Sequence, residues 1–569
     1  MRRYFFCVNA ILLLLVLTVS SCTYEDYEIK QGRGIVCSNG MVVSAHPEAS
    51  GIGTGILIEG GNAFDAAAAT AFALAVSYPT AGNIGGGGLM VIRDSDGRYA
   101  TLDCREKAPD SAMNDMYLDE EDNIIKGMST STLAASGVPG SVAGILEMHS
   151  EYGSLPLKKI IQPSIDLARE GFPVTSRQAK SLNSVRKRFI NRNDHPVPFV
   201  KDNLWAEGDT LIQADLARTL ERIRDNGTEG FYSGSTADMI VKEMKKGNGL
   251  INHNDLENYS AVWREPVTGM YSGYKIISIP PPSSGGVAVM QLLGIMEDML
   301  NEQPVFHSSE DVHLMIEAER RIYADRSFYL GDPDFVEIPV NELVNKDYLI
   351  DRMSDFDTLK TSSSANISHG LIVAPESEET THFSVIDKDH NAIAFTTTLN
   401  SSYGNCIVVE GAGFLLNNEM DDFSSKPGYP NIYGLIGGEA NSVQPGKRML
   451  SSMTPAIVEK DNNLYMVLGS PGGSTIITSV FQTLLNVLEY QMNMQQAVDA
   501  PRFHHQWMPD LVYFEKLEAD SVLIRKLENM GHNIQWRSSI GRVDAIRIIK
   551  GGKMEAGADS RGDDMACGY

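Results

Sequence analysis

The feature that most constrains this chain is a change of texture two-thirds of the way along. Residues 354 to 379 are polar and irregular, with Ser362-Ser363-Ser364 and Pro375-Glu-Ser-Glu-Glu379 among them, and at Thr380 the pattern turns to strands, beginning Thr380-Thr381-His382-Phe383-Ser384-Val385-Ile386-Asp387. An exposed stretch of that composition is where a chain can be cut and its new ends separate. A threonine hydroxyl at its ordinary pKa is a poor nucleophile, and cleavage just before it frees an α-amine able to take its proton. Glu379-Thr380 is the candidate bond. Taken alone, the segment reads more simply as the start of an ordinary β-strand.

With 569 residues, 43% of them hydrophobic and 21% charged, the chain has the composition of a soluble globular protein. At ~150 residues per domain it would hold two to four domains. The formal charge of -25 argues against nucleic acid or an anionic membrane surface as main partner, since both need a basic face. Residues 1–21 read as a targeting segment: Arg2 and Arg3, an apolar run from Ala10 to Val19, and Val19-Ser20-Ser21-Cys22, which resembles a bacterial lipobox. Lipid on Cys22 would tether the protein to a membrane, in the periplasm or at the cell surface. An uncleaved anchor and a plain secretory peptide are the alternatives. Of the six cysteines, Cys37, Cys104, Cys406 and Cys567 lie far apart with no C-x-x-C, so buried free thiols are expected rather than a disulfide framework.

Residues 22–33 form an acidic tether, and the fold is expected from Gly34. Helices are predicted over Ala49–Glu59 and over the alanine-rich Asn62–Val76, thin enough to lie close on a sheet. Gly85-Gly86-Gly87-Gly88 precedes a strand instead of following one, which excludes a phosphate loop and points to close backbone packing. Leu89–Arg93 and Tyr99–Cys104 read as a hairpin. Val138 to about Met353 reads as mostly helical, interrupted by Ile279-Pro-Pro-Pro-Ser-Ser-Gly-Gly286. After Thr380, strands are expected at Phe383–Ile386, Ala392–Leu399, Gly413–Leu416, Ala456–Val458 and Leu464–Leu468, then a helix from Ser474 to Tyr490. Helices on both sides of an antiparallel sheet make a layered α/β sandwich.

Gly472-Gly473 opens that last helix, where consecutive N–H groups can converge on a developing oxyanion, although such a start is more often mere backbone geometry. The Asn417-Asn418-Glu419-Met420-Asp421-Asp422 cluster could hold calcium or magnesium, grip an ammonium group, or be a solvated turn. Arg105 at a strand end offers a fork for a carboxylate.

Seven motifs in order then carry a resemblance: Leu102-Asp-Cys-Arg-Glu-Lys-Ala-Pro109, Pro280-Pro-Pro-Ser-Ser-Gly-Gly286, Ala324-Asp-Arg-Ser with Gly331-Asp-Pro-Asp-Phe335, Thr380-Thr-His, Leu416-Asn-Asn-Glu-Met-Asp-Asp-Phe423, Ser451-Ser-Met-Thr-Pro455 and Gly469-Ser-Pro-Gly-Gly473. Together they resemble the γ-glutamyltransferase (γ-glutamyltranspeptidase) family of N-terminal-nucleophile hydrolases. The resemblance implies a four-layer αββα sandwich built jointly by two autoproteolytic fragments, 22–379 and 380–569, that stay together as a heterodimer. It implies Thr380 as nucleophile and, through its amine, general base, with Thr398 orienting it and Gly472 and Gly473 as oxyanion hole. Arg105, Ser451 and Ser452 would take the α-carboxylate of a γ-glutamyl donor such as glutathione, and Asn400, Glu419 and Asp422 its α-amine. Water, an amino acid or a dipeptide would accept the acyl group, and no metal or organic cofactor is needed. Tyr433 would tip a lid loop. Two departures stand out. Cys104 replaces a commonly bulky apolar residue, and Ser560 replaces a proline before Arg561, which weakens an acceptor-side role for that arginine. The competing readings are a glutaryl-type β-lactam acylase of the same fold and a lipid-tethered binding protein with a decayed site.

Overall fold

Apolar residues on both faces of the strands around Thr380 decide the architecture, because a strand buried on both sides must lie between two layers. In the strand Thr381–Ile386, Phe383 and Val385 join one core while Ile386 joins another. The neighbouring strands divide in the same way. Val42, Met90, Ile92, Ile393 and Phe395 face the first core, and Met41, Val43, Leu89, Val91, Ala392 and Ala394 the second.

The computed structural model describes residues 28–367, 380–429, 431, 437–516 and 520–569. The targeting segment, Cys22, Glu379 and Tyr433 lie outside them. An eight-stranded sheet runs in the order Lys30–Gly32, Met565–Gly568, Met41–Ser44, Thr381–Ile386, Ala392–Thr398, Gly87–Arg93, Tyr99–Cys104 and Val262–Arg264. A seven-stranded sheet runs Val36–Cys37, Met554–Ala558, Asp544–Ile548, Asn463–Gly469, Ala456–Lys460, Tyr274–Ser278 and Val267–Tyr271. All pairings within these two sheets are antiparallel, and strands of one touch strands of the other across the second core. Helices Pro47–Ile58 and Ala63–Ser77 cover the first sheet, and Gly285–Met299 and Thr475–Leu488 cover the second. The result is the expected αββα sandwich.

The alanine-rich helix is buried along its whole length, as its small side chains predict. Its start is fixed by a capping box in which Asn62 and Asp65 exchange hydrogen bonds. The four-glycine run is likewise a close approach: a Cβ on Gly85, Gly86 or Gly88 would collide with the backbone of Leu415, Thr398 or Thr396. Three expectations need correction. Lys30–Gly32, expected in the tether, is an edge strand because it pairs with Ala566–Gly568. The stretch expected to be helical carries three strands between Val262 and Ser278, which extend both sheets. Gly413–Leu416 is not a strand: Gly413 is left-handed (φ +79°), its amide closes a turn onto Val409 O, and the segment makes only the isolated bridge Val408↔Leu415. The 22–33 boundary therefore does not mark where the fold begins.

Cys37, Cys104, Cys406 and Cys567 are free and buried. No helix among the described residues is long and apolar enough to cross a membrane. Because Gly86 lies directly on the Thr398 carbonyl, Gly86→Ala is expected to destabilise the protein by about 1–3 kcal/mol through overpacking. Denaturant unfolding of the purified variant checks this, and a lower midpoint with unchanged slope is the expected result.

Candidate active site

Strand register places the candidate nucleophile. Thr381 pairs with Thr397, so Thr380 and Thr398 stand side by side at the end of the hairpin. The other sheet supplies the opposite wall. Gly469 ends its strand so close to His382 that a Cβ would strike the imidazole, and the chain then turns through Gly472 (φ +135°) and Gly473 (φ +55°) into the helix Thr475–Leu488. Glycine suits both positive φ values.

Thr380 is 6% exposed and lies on the wall of a cleft of about 510 Å³, open mouth included. Arg105, Thr398, Asn400, Asp422, Ser451, Ser452 and Gly473 share that wall. Of the remaining expected residues, Glu419 stands behind the wall, held by Arg105 Nη1 at 2.6 Å, and Gly472 faces a second chamber that Thr380 also borders.

Arg105, expected at the ligand's carboxylate, and Glu419 and Asp422, expected at its amine, form one charged cluster. Arg105 donates from Nη1 to Glu419 and from Nη2 to Asp422, with Glu106 Oε2 3.4 Å from Nη1. Burial opposes the charge of Arg105, but Glu419, Asp422 and Glu106 outweigh it and raise its pKa. Burial pushes Glu419 up to about 7 against the pull of Arg105, and raises Asp422 in the same way. Glu106 is raised well above the usual range by burial and by Glu419. Glu419 Oε1 is buried without a hydrogen-bond partner. Since these carboxylates are engaged by a guanidinium, the cluster holds a cationic side chain in the place where calcium or magnesium was one reading.

Second elements hold each wall residue. Asn417 donates to the carbonyls of Gly85 and Gly137 and accepts from Glu419 N, which fixes the Glu419–Asp422 turn. Asn400, in a left-handed conformation (φ +73°), donates from its backbone N to Thr398 Oγ1 at 2.8 Å and from its side chain to Asn418 O. No hydrogen bond joins Thr398 to Thr380 among the described residues. The Thr398 hydroxyl accepts from the Asn400 amide instead. Ser451 O accepts from the backbone N and the hydroxyl of Ser284, so the proline-rich motif shapes the Ser451-Ser452 loop.

Three residues without an expected role belong to this site. Arg326 lines the cleft and donates to Ser284 Oγ at 2.9 Å and to Ser452 Oγ at 3.0 Å. Asn441 donates to Asp422 O and accepts from Leu450 N. Asn83 donates to Thr398 O and Thr397 Oγ1. The Ala324-Asp-Arg-Ser motif flagged Arg326; nothing local flagged the two asparagines.

Among the described residues, two groups bring metal-ligating atoms together, both outside the cleft: His313, Glu317 and His532, and His195, Glu243 and Glu410. The first is satisfied internally. His313 Nε2 meets the Asp357 carbonyl, His313 Nδ1 meets His532 Nε2 at 2.7 Å, and Glu317 accepts from Arg320, Arg321, Thr361 and Ser362. In the second, Lys246 already pairs with Glu243 and Glu410. His504 and His505 are held by Thr478, Gln506 and the Trp507 amide.

Residues 49–569 match the family model described as Gamma-glutamyltranspeptidase. The chain belongs to the γ-glutamyltranspeptidase family. The glutathione hydrolase proenzyme of Escherichia coli (strain K12) is 45% identical over 533 residues, covering 93% of this chain and 92% of that protein. Cephalosporin acylase from Bacillus halodurans superposes with TM-score 0.83 and 26% identity, over 96% of this chain and 98% of that one. A γ-glutamyltranspeptidase chain from Helicobacter pylori superposes with TM-score 0.56 and 45% identity, over 57% of this chain and 94% of that one. The γ-glutamyltranspeptidase fold here is that of the N-terminal-nucleophile hydrolases, and this family member is an enzyme.

The Glu419 cluster makes a pH prediction. Below about pH 7 Glu419 holds a proton in the empty cleft, and a ligand ammonium placed beside it favours the ionised form. Binding of L-glutamate at pH 6 is therefore expected to release protons, and affinity to rise with pH up to about 7. Calorimetry in two buffers of different ionisation enthalpy measures the release, which Glu419→Gln should remove.

Proposed function

We propose that the protein cuts itself before Thr380 and then transfers γ-glutamyl groups, with glutathione as a donor. One observation carries the reading: Thr380 shares a single cleft wall with Arg105, Asp422, Ser451, Ser452 and Gly473. A zwitterionic head needs hydrogen-bond donors for its carboxylate and acceptors for its ammonium. Ser451 and Ser452 supply the first, beside the positive charge of Arg105; Asp422 and Asn400 supply the second, with the unpartnered Glu419 Oε1 behind them. The donor identity rests on relatives named glutathione hydrolase proenzyme.

In this mechanism the Thr380 hydroxyl oxygen attacks the γ-carbonyl carbon, and its proton passes to the freed Thr380 amine. Gly472 and Gly473 N–H groups stabilise the oxyanion. The C–N bond then breaks, the leaving nitrogen takes the proton, and an ester to Thr380 remains. Water attack on that ester gives glutamate, whereas attack by an amino acid or dipeptide amine gives a new γ-glutamyl amide. Thr398, whose hydroxyl now accepts from the Asn400 amide, would turn to Thr380 once the new amine exists.

The acylase reading has support in the superposition on cephalosporin acylase. A glutaryl chain lacks the ammonium, however, and would leave Glu419 and Asp422 facing an apolar methylene at an energetic cost. Lipid attachment at Cys22 and export rest on the lipobox pattern alone.

Two measurements check the proposal. Wild-type protein should run as two fragments, the smaller beginning Thr-Thr-His-Phe, and hydrolyse a γ-glutamyl anilide; Thr380→Ala should stay one chain with no turnover above background. A single-chain wild type with no anilide turnover would refute the reading. Cys22→Ser should move the protein from the detergent phase to the aqueous phase on Triton X-114 partition of expressing cells, and an unchanged distribution would refute the anchor.

A further inference from the structure

Thr380 borders two spaces, and the head-group chemistry uses one. The second chamber, about 450 Å³ with its open mouth, is walled by Tyr78, Gly472, Ser539, Arg542 and Arg561 in addition to Thr380. Its charged wall residues are both arginines. In the first cleft, by contrast, Arg105 is surrounded by carboxylates.

The two arginines are not equivalent. Arg561 is spent: Nε and Nη2 each hold Glu515 at 2.6 Å, and Nη1 and Nη2 also donate to the carbonyls of Val498 and Ala500. Arg542 is held on one side only. Its Nε faces Asp564 Oδ1 at 2.9 Å, Nη1 donates to the Tyr78 hydroxyl at 2.9 Å, and the guanidinium carbon lies 5.0 Å from the Tyr78 ring centroid. Nη2 has no hydrogen-bond partner among the described residues. Gly562 makes the room, since a Cβ there would strike the Arg542 side chain. Behind Arg542, Asp564 adjoins the buried Asp544. Burial raises Asp544 and pushes Asp564 up to about 6, so this pair retains a proton and gives Arg542 about one negative charge to balance.

Geometry says what reaches this chamber. With the γ-glutamyl head in the first cleft and its carbonyl at Thr380, the amine side of the scissile amide extends past Gly472. In amino acids and short peptides that amine side ends in a free carboxylate. We propose that Arg542, braced by Tyr78 and Asp564, is a specificity-determining residue whose open Nη2 edge binds the carboxylate of the amine that leaves on acylation or arrives in deacylation. The assignment rests on the γ-glutamyl-transfer reading above. A planar guanidinium anchored on one edge is well suited to it, because little rotamer freedom remains to be lost on binding.

The test has two arms, each a ratio measured on one enzyme preparation so that loss of folded or processed protein cancels. The acceptor arm compares kcat/KM for glycylglycine with that for glycylglycinamide. The donor arm compares glutathione with its C-terminal amide. Wild type should prefer the free carboxylate in at least one arm, and Arg542→Ala should cut that preference roughly tenfold or more, the scale of one charged hydrogen bond. Arg542→Lys should restore part of it, and Tyr78→Phe should lower it less than the alanine variant does. A fall confined to the acceptor arm assigns the site to the incoming amine, and one confined to the donor arm assigns it to the leaving amine. Wild-type ratios in Arg542→Ala, or a wild type with no carboxylate preference, would overturn the proposal. Should Arg542→Ala fail to process, Arg542→Lys and Tyr78→Phe decide by the same ratios. Failure of wild type to turn over a γ-glutamyl anilide would instead sink the transfer reading.

Discussion

The buried contact of Arg105 with Glu419 and Asp422 is the interaction on which the site depends. A guanidinium and carboxylates taken out of water lose several kcal/mol of hydration each, and their attraction recovers this only with good geometry. The cluster is therefore poor evidence for stability and better evidence for a demand on shape. Meeting that demand explains distant residues. Gly87 and Gly137 leave space for Glu106, Asn417 ties the Glu419–Asp422 turn to the glycine run, and Asn441 fastens the far side of Asp422.

Arg105 precedes position 380 in sequence while Glu419 and Asp422 follow it, and the same interleaving runs through the whole fold. In the eight-stranded sheet, Thr381–Ile386 lies between Met41–Ser44 and Ala392–Thr398, while Met565–Gly568 lies between Lys30–Gly32 and Met41–Ser44. The seven-stranded sheet mixes the two segments as well, with Tyr274–Ser278 paired to Ala456–Lys460. Breaking one peptide bond removes a covalent link but none of these ladders, and each core draws side chains from both segments. Fragments made by a cut before Thr380 would still share both sheets and both cores, so such a cut would expose an amine while the ladders around the cleft hold.

Much of this was legible in the sequence, for physical reasons. Positions that need a special backbone or a tight approach leave local marks: the four glycines, the Gly472-Gly473 helix start, the alanine-rich helix. Positions that act through long-range pairing leave none. Val262–Ser278 sits in a helical stretch and forms strands because two sheet edges await it, a tertiary effect that overrides local texture. Asn83 and Asn441 look ordinary in sequence and become site residues because of where Thr398 and Asp422 stand. The grouping of Arg105 with its carboxylates was also hidden, since composition shows opposite charges and not their distance.

The two spaces flanking Thr380 differ in that the first has a carboxylate, Asp422, on its wall beside Arg105 and Arg326, while the charged residues of the second are both arginines, and this bears on substrate orientation. On one side Asp422, with its side chain 15% exposed, presents a carboxylate beside a guanidinium that is already satisfied. On the other, Arg542 presents N–H groups while its balancing carboxylates lie behind it. A head group carrying an α-ammonium gains in the first space and would meet a guanidinium in the second. Reversed binding is thus penalised by unpaired like charge as well as by lost contacts, and discrimination built from both terms exceeds what either gives alone. The nucleophile sits between the two spaces, so a substrate whose reactive carbonyl separates an ammonium-bearing head from a carboxylate-bearing tail matches both when that carbonyl lies over Thr380.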